Sequence, residues 1–147
     1  MTLSERIEKD YISAYKAKDS LRLGVLRLLK TAAKNMQVEL RRPVEDTELL
    51  DLVMKQAKQR VDSIDQFRTA NREDLAAQEE AELTVIREYL PQPLTAEELT
   101  AAIEAAVVAT GAATMADMGK VMNAIKAEYQ GRFDGKALST AVRARLA

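Results

Sequence analysis

The sequence contains no cysteine, no histidine and no tryptophan among its 147 residues. Without cysteine it can form no disulfide, no thiolate nucleophile and no zinc–thiolate site. Without histidine it lacks the commonest general base, so none of its serines has the usual activating partner. These absences predict a chain with no catalytic residue, no metal site and no bound cofactor.

Aromatic residues, glycine and proline are also scarce: two Phe, four Tyr, five Gly and three Pro. The core is therefore expected to be aliphatic. No apolar run is long enough to cross a bilayer, and the opening segment MTLSERIEKD lacks a signal-peptide pattern. Together with the missing cysteines, these features predict a cytoplasmic protein with no membrane contact.

What the sequence does have is helical periodicity from end to end. Apolar residues recur three and four apart, and no segment alternates with period two for long enough to form a strand. Three Thr-x-x-Glu/Asp patterns, at Thr2, Thr95 and Thr114, are typical of capped helix starts. The predicted fold class is all-α.

Caps, glycines and prolines divide this pattern into seven helices. The predicted helices run from Thr2 to about Lys18, from Asp19 or Ser20 to about Arg42, from Asp46 or Thr47 to Asn71, from Asn71 to Leu90, from Thr95 to Gly111, from Thr114 to Gly131, and from Asp134 onward.

The only paired prolines lie in the segment Pro91–Pro93, which reads PQP. Such a segment is the best candidate for a domain boundary. We therefore expect a helical N-terminal domain over residues 1–90 and a small three-helix C-terminal domain over residues 94–147.

Charge is unevenly distributed although the net charge is −1. Residues 91–117 carry four acids and no base, whereas residues 118–147 carry six bases against two acids. Residues 20–38 hold four bases and no acid. Segregation of this kind can steer an anionic partner to a nearly neutral molecule.

The stretch DMGKVMNAIKAEYQGRFDGKA, residues 117–137, concentrates glycine and basic residues. It is not a nucleotide-binding P-loop, which needs four residues between its glycines and a Ser or Thr after the lysine. Here three residues separate Gly131 from Gly135, and Ala137 follows Lys136. No strand precedes it to aim backbone amides at a phosphate.

Two interpretations of this stretch remain open. In the structural one, Gly131 and Asp134 cap helices, Phe133 fills the core, and the methionines of the preceding helix pack inward. In the recognition one, a cluster of basic side chains faces an RNA, the guanidinium of Arg132 is free in its turn to meet a phosphate, and the glycines allow close backbone approach. The candidate RNA-binding residues are Lys120, Gly131, Arg132, Gly135, Lys136 and Arg143.

A secondary basic face lies in the second predicted helix. Arg27, Lys30 and Lys34 fall along one side of it and are candidates for contact with an RNA backbone. The alternative is an ordinary solvated helix face.

Several of these segments resemble one known family. They are SERIEKDYISAYKAKDSLRLGVLRLLKTA, NREDLAAQEEAEL, EYLPQPLTAEEL and ADMGKVMNAIKAEYQGRFDGKAL. The chain resembles the YqeY-like family, whose C-terminal part is similar to the tail domain of GatB, the B subunit of the tRNA-dependent amidotransferase. The DMGKVM segment together with GR-x-DG carries the likeness most specifically.

The resemblance implies an all-helical, two-domain protein whose C-terminal part is related to a domain understood to contact tRNA. It assigns the carried-over site to Lys120, Gly131, Arg132 and Gly135. The expected function is a non-catalytic accessory of translation that binds tRNA or another structured RNA. One alternative is an adaptor that docks a tRNA-charging enzyme. The least favoured is a glutamine-dependent carbon–nitrogen ligase, because the kinase and amidase portions of such enzymes are absent.

Overall fold

The computed structural model describes all 147 residues and contains seven α-helices. Their bounds are α1 Leu3–Ala17, α2 Ser20–Leu40, α3 Asp46–Thr69, α4 Glu73–Arg87, α5 Ala96–Thr110, α6 Met118–Glu128 and α7 Gly135–Leu146, with a short 3₁₀ helix at Met115–Asp117. The all-α prediction is confirmed.

The chain folds into two compact units, Met1–Leu90 and Pro91–Ala147. The first unit contains α1 to α4, and the second contains α5 to α7. That each unit is an independent domain stays a prediction.

The core of the first unit is aliphatic apart from Tyr89. Helix α2 supplies Val25, Leu26 and Leu29, which are at most 2% exposed, and these pack with side chains from the other three helices. A smaller cluster of Ile64, Ala76 and Leu83 joins α3 to α4 away from this core. The second unit has its own core, to which all three helices contribute: Ile103, Ala106, Val107, Val121, Ile125, Leu138, Val142 and Leu146.

Local sequence signals explain most helix boundaries. Thr2 caps α1 and Thr95 caps α5 through the expected capping boxes, and Asp134 accepts a hydrogen bond from the backbone N–H of Ala137 to cap α7. Helix α5 ends at Gly111, whose φ of 69° is the left-handed conformation that favours glycine.

Several boundaries differ from the prediction, and α4 ends at Arg87, three residues before the predicted Leu90. Helix α4 begins after Arg72 without a side-chain cap, because Asn71 has a φ of 57° and belongs to the turn that ends α3. The Thr114 capping box opens the 3₁₀ helix rather than α6 itself. Helix α6 ends at Glu128, so Gly131 lies in the following turn instead of directly capping the helix.

No single helix is both long and apolar enough to cross a membrane. Only α5 taken together with Met115–Glu128, bent by 97° at their break, reaches that length and apolarity.

Candidate functional site

The turn between α6 and α7, residues 129–134, joins the segment that precedes α5. The backbone N–H of Leu94 donates to the carbonyl of Arg132 at 2.7 Å. In return, the Nε of Arg132 donates to the carbonyl of Gln92 at 2.9 Å. Two hydrogen bonds, both formed by Arg132, therefore hold the turn against the Gln92–Leu94 segment.

The rest of the Arg132 side chain is engaged within the same unit. Its Nη2 lies 3.6 Å from a carboxylate oxygen of Glu98, and its guanidinium carbon lies 5.9 Å from the centre of the Tyr129 ring. The side chain is 34% exposed. The expectation that the guanidinium is free is not met, because the chain itself provides its partners. That Arg132 also contacts RNA stays a prediction.

Glu98 links this cluster to the start of α5. The pKa of Glu98 is held below its ordinary value of 4.5, first by the backbone N–H of Thr95, then by the Thr95 hydroxyl, and further by the Arg132 charge. The same carboxylate therefore completes a helix cap and faces the arginine of the turn.

The two glycines of the GR-x-DG motif differ in conformation. Gly131 is buried and has a φ of 81°, which L side chains rarely adopt. Gly135 is the exposed first residue of α7, its φ is not positive, and a Cβ added there would meet nothing within 4 Å. The backbone thus favours glycine at the first position and has no such preference at the second.

Helix α7 presents two of the predicted cations to solvent. Lys136 and Arg143 are exposed and have no carboxylate partner, and α7 contains no acidic residue. They are seven residues apart, which brings them within about 20° of the same direction around the helix. On the opposite side, Leu138 and Val142 are fully buried.

The other cations of this unit either have a carboxylate nearby or lie on α6 rather than on α7. Arg145 forms a two-bond pair with Glu104 of α5. Lys120, 68% exposed on α6, lies 3.8 Å from a carboxylate oxygen of Asp117. Lys126 is exposed on α6 without a partner. Lys120 and Lys126 belong to the solvent side of α6, whereas Val121 and Ile125 pack into the core.

The methionines of this region belong to the core. Met118 and Met122 are half-buried and pack against the hydrophobic cluster of the second unit, while Met115 is 42% exposed. Met118 and Met122 therefore pack inward, as expected if the stretch has a structural role, whereas Met115 does not.

The secondary basic face of α2 also contains one cation with a carboxylate partner and two without. Lys30 pairs with Glu8 at 2.8 Å, and its Nζ lies 4.0 Å from the centre of the Tyr11 ring. Arg27 and Lys34 are both exposed and make no ion pair.

A polar cluster in the first unit was missed by the sequence analysis. The hydroxyl of Tyr89, a residue only 3% exposed, donates to Asp10 at 2.6 Å. Burial, then this hydrogen bond, raises the pKa of Tyr89. Arg6 donates to the carbonyl of Glu88 at 2.7 Å, and Arg22 pairs with the Glu88 carboxylate. The partners are far apart in the sequence, so no local spacing indicates the cluster.

Comparison with known proteins now identifies the family. The family model described as Yqey-like protein matches residues 4–146. This match confirms the resemblance noted in the sequence.

Curated relatives carry the name Altered inheritance of mitochondria protein 41, mitochondrial. The relative from Saccharomyces cerevisiae is 31% identical over 135 residues, which cover 91% of this chain and 71% of the relative. The relative from Lachancea thermotolerans is 38% identical over 87 residues, 58% of this chain and 46% of the relative. That from Vanderwaltozyma polyspora is 35% identical over 85 residues, 57% and 46% respectively. The match thus spans about half the length of two of these relatives.

These names overturn the prediction of a cytoplasmic protein, because the relatives are named as mitochondrial. The prediction was wrong because the absence of cysteine is weak evidence for any one compartment.

Proposed function

The chain belongs to the YqeY-like protein family, and on that premise we propose that it binds structured RNA, with tRNA the favoured ligand, through the solvent face of α7. In this role it acts as an accessory that holds RNA and carries out no reaction on it. The observation that carries the proposal is the pair Lys136 and Arg143, exposed on one side of a helix that contains no acid.

The distribution of ion pairs within the second unit supports this assignment. Glu98 and Glu104, acids of α5, lie against Arg132 and Arg145. Lys120 lies 3.8 Å from a carboxylate oxygen of Asp117. The other three cations, Lys136 and Arg143 on α7 and Lys126 on α6, have no carboxylate partner. An unneutralised cation is available for a phosphate, and phosphate contacts supply most of the sequence-independent affinity for nucleic acid.

The residues of α7 also have suitable chemistry and support. Arginine presents a planar fork of donors that matches a phosphate, and lysine supplies a compact charge. Both side chains project from a helix anchored by the fully buried Leu138 and Val142. Because the helix is already fixed by this packing, less conformational entropy is lost when the side chains bind a ligand. The tail domain that this unit resembles is understood to contact tRNA.

The experiment compares tRNA affinity of the parent with that of a Lys136→Glu/Arg143→Glu variant over a range of salt concentrations. We expect the double variant to bind roughly tenfold or more weakly and to show a weaker salt dependence, with the slope reduced by about one unit for each phosphate that is no longer neutralised.

The matched control is Lys55→Glu/Lys58→Glu, which makes the same charge change at two exposed lysines of α3 that have no ion-pair partner. Circular dichroism and melting temperature establish that both variants are folded. Equal loss of affinity in both would show that net charge alone governs binding, and unchanged affinity in the α7 variant would refute the site.

A further inference from the structure

A line of cations follows the solvent side of α2 in the first unit. Arg27 and Lys34 are unpaired and seven residues apart, so they point within about 20° of each other and lie about 10 Å apart along the helix. Arg41, a third exposed cation without an ion pair, follows the last residue of α2 in a left-handed conformation and so lies at the end of this line. No acidic residue occurs between Ser20 and Val38.

A cavity of about 240 Å³ opens beside this line. Its floor is apolar and firmly packed, since Ile7, Leu29 and Leu49 are each at most 4% exposed. Its lining includes the polar side chains of Lys34 and Gln37. The cavity belongs entirely to the first unit, between α1, α2 and the segment that leads into α3.

The charge at the cavity is set by Lys34. Glu8, the only acid of the lining, is paired with Lys30 at 2.8 Å. The uncompensated charge is therefore the positive one on Lys34, and the Gln37 amide offers both a donor and an acceptor. An occupant that fits has a compact apolar body, an edge that forms hydrogen bonds, and an adjacent anion.

We propose that this cavity receives the base of an unpaired nucleotide of RNA, while Arg27, Lys34 and Arg41 contact the phosphates on either side. A nucleotide joins a flat, largely apolar ring with polar edges to a phosphate, which is the combination that the cavity and its rim provide. Proteins take unpaired bases in this way because the bases of a duplex are stacked and inaccessible. The inference rests on the proposed function and extends it to single-stranded parts of the RNA.

The test uses a short single-stranded RNA that carries one 2-aminopurine, a base whose fluorescence responds to its surroundings. Binding to the parent is expected to change the fluorescence. Ala33→Met fills the cavity from α2 and should abolish the change, whereas the control Ala77→Met, at an exposed alanine of α4, should preserve it. Lys34→Glu should lower affinity roughly tenfold and reduce the salt slope by about 1.

Gln37→Glu provides a second variant at the lining that does not alter core packing, and it decides the question if Ala33→Met fails to fold. Its new carboxylate should repel the phosphate and weaken both binding and the fluorescence change. If Ala33→Met folds and gives the same fluorescence change as the parent, the base is not in the cavity and the inference is wrong. If Ala33→Met does not fold, the same fluorescence change in Gln37→Glu and in the parent overturns the inference.

The two proposals fail separately. A parent protein that binds tRNA through α7 but does not bind the single-stranded probe overturns this inference alone. Loss of tRNA binding in the α7 variant, with probe binding intact and sensitive to Lys34→Glu, supports both. A protein that binds neither RNA overturns both.

Discussion

The turn between α6 and α7, residues 129–134, and the solvent face of α7 lie next to each other in the sequence, but their basic side chains differ in whether they have partners within the chain. In the turn, Arg132 donates a hydrogen bond to the Gln92 carbonyl and lies near Glu98, and Gly131 adopts a left-handed backbone conformation that favours glycine. On α7, Lys136 and Arg143 have no intramolecular partner. The difference teaches that one motif can hold the fold with some residues and leave its neighbours free for a ligand.

The largest effect on stability should come from Arg132→Glu. The substitution removes the hydrogen bond to the Gln92 carbonyl and places a carboxylate opposite Glu98, so we expect a loss of about 2–3 kcal/mol in the free energy of unfolding. Urea denaturation of the whole chain measures it. Lys136→Glu makes the same charge change four residues later, where the side chain has no ion-pair partner, and should stay within about 0.5 kcal/mol of the parent. Equal stability of the two variants would contradict the assigned difference.

A smaller effect is expected at the glycines. Gly131→Ala forces a side chain into a left-handed backbone conformation and should cost about 1–2 kcal/mol. Gly135→Ala meets open space at an ordinary φ and should be close to neutral in stability. Thermal denaturation of both variants distinguishes them. If Gly135→Ala keeps its stability but loses RNA affinity, that glycine serves close approach of the ligand rather than the fold.

The smallest expected effect is the contribution of the Glu98 charge to stability, which depends on pH. Because the pKa of Glu98 is lower in the folded chain than its ordinary 4.5, the unfolded chain binds more protons in this range. The stabilising contribution is therefore complete above about pH 4.5 and is lost as the pH falls through the lower, folded value. Melting temperatures of the parent and of Glu98→Gln should differ most above about pH 4.5 and converge below it. A gap that does not change with pH would mean that the Glu98 charge makes no contribution.

Much of the fold could be predicted because its signals are local. The capping box of Thr95 and Glu98, the end of α5 at Gly111 and the cap of α7 at Asp134 each depend on residues within one turn of the chain. The errors at Asn71 and Gly131 were of a few residues, because a turn residue with positive φ fits either side of a boundary.

The candidate site was less predictable because its partners are distant in sequence. The bond from Arg132 to Gln92 spans 40 residues, and the hydrogen bond from Tyr89 to Asp10 spans 79. The sequence shows that a basic residue is present, but only the folded chain shows whether its side chain already has a carboxylate or carbonyl partner. That distinction separates Arg132 from Lys136 and Arg143.

Nuclear magnetic resonance titration of the labelled chain with tRNA tests this division most directly. We expect shifts for Lys136, Arg143 and their neighbours on α7, while the Nε–H resonance of Arg132 keeps its position and its protection from exchange, because it remains bonded to Gln92. If the Arg132 resonance moves or loses protection while α7 is unaffected, the turn is the binding site and the account is contradicted.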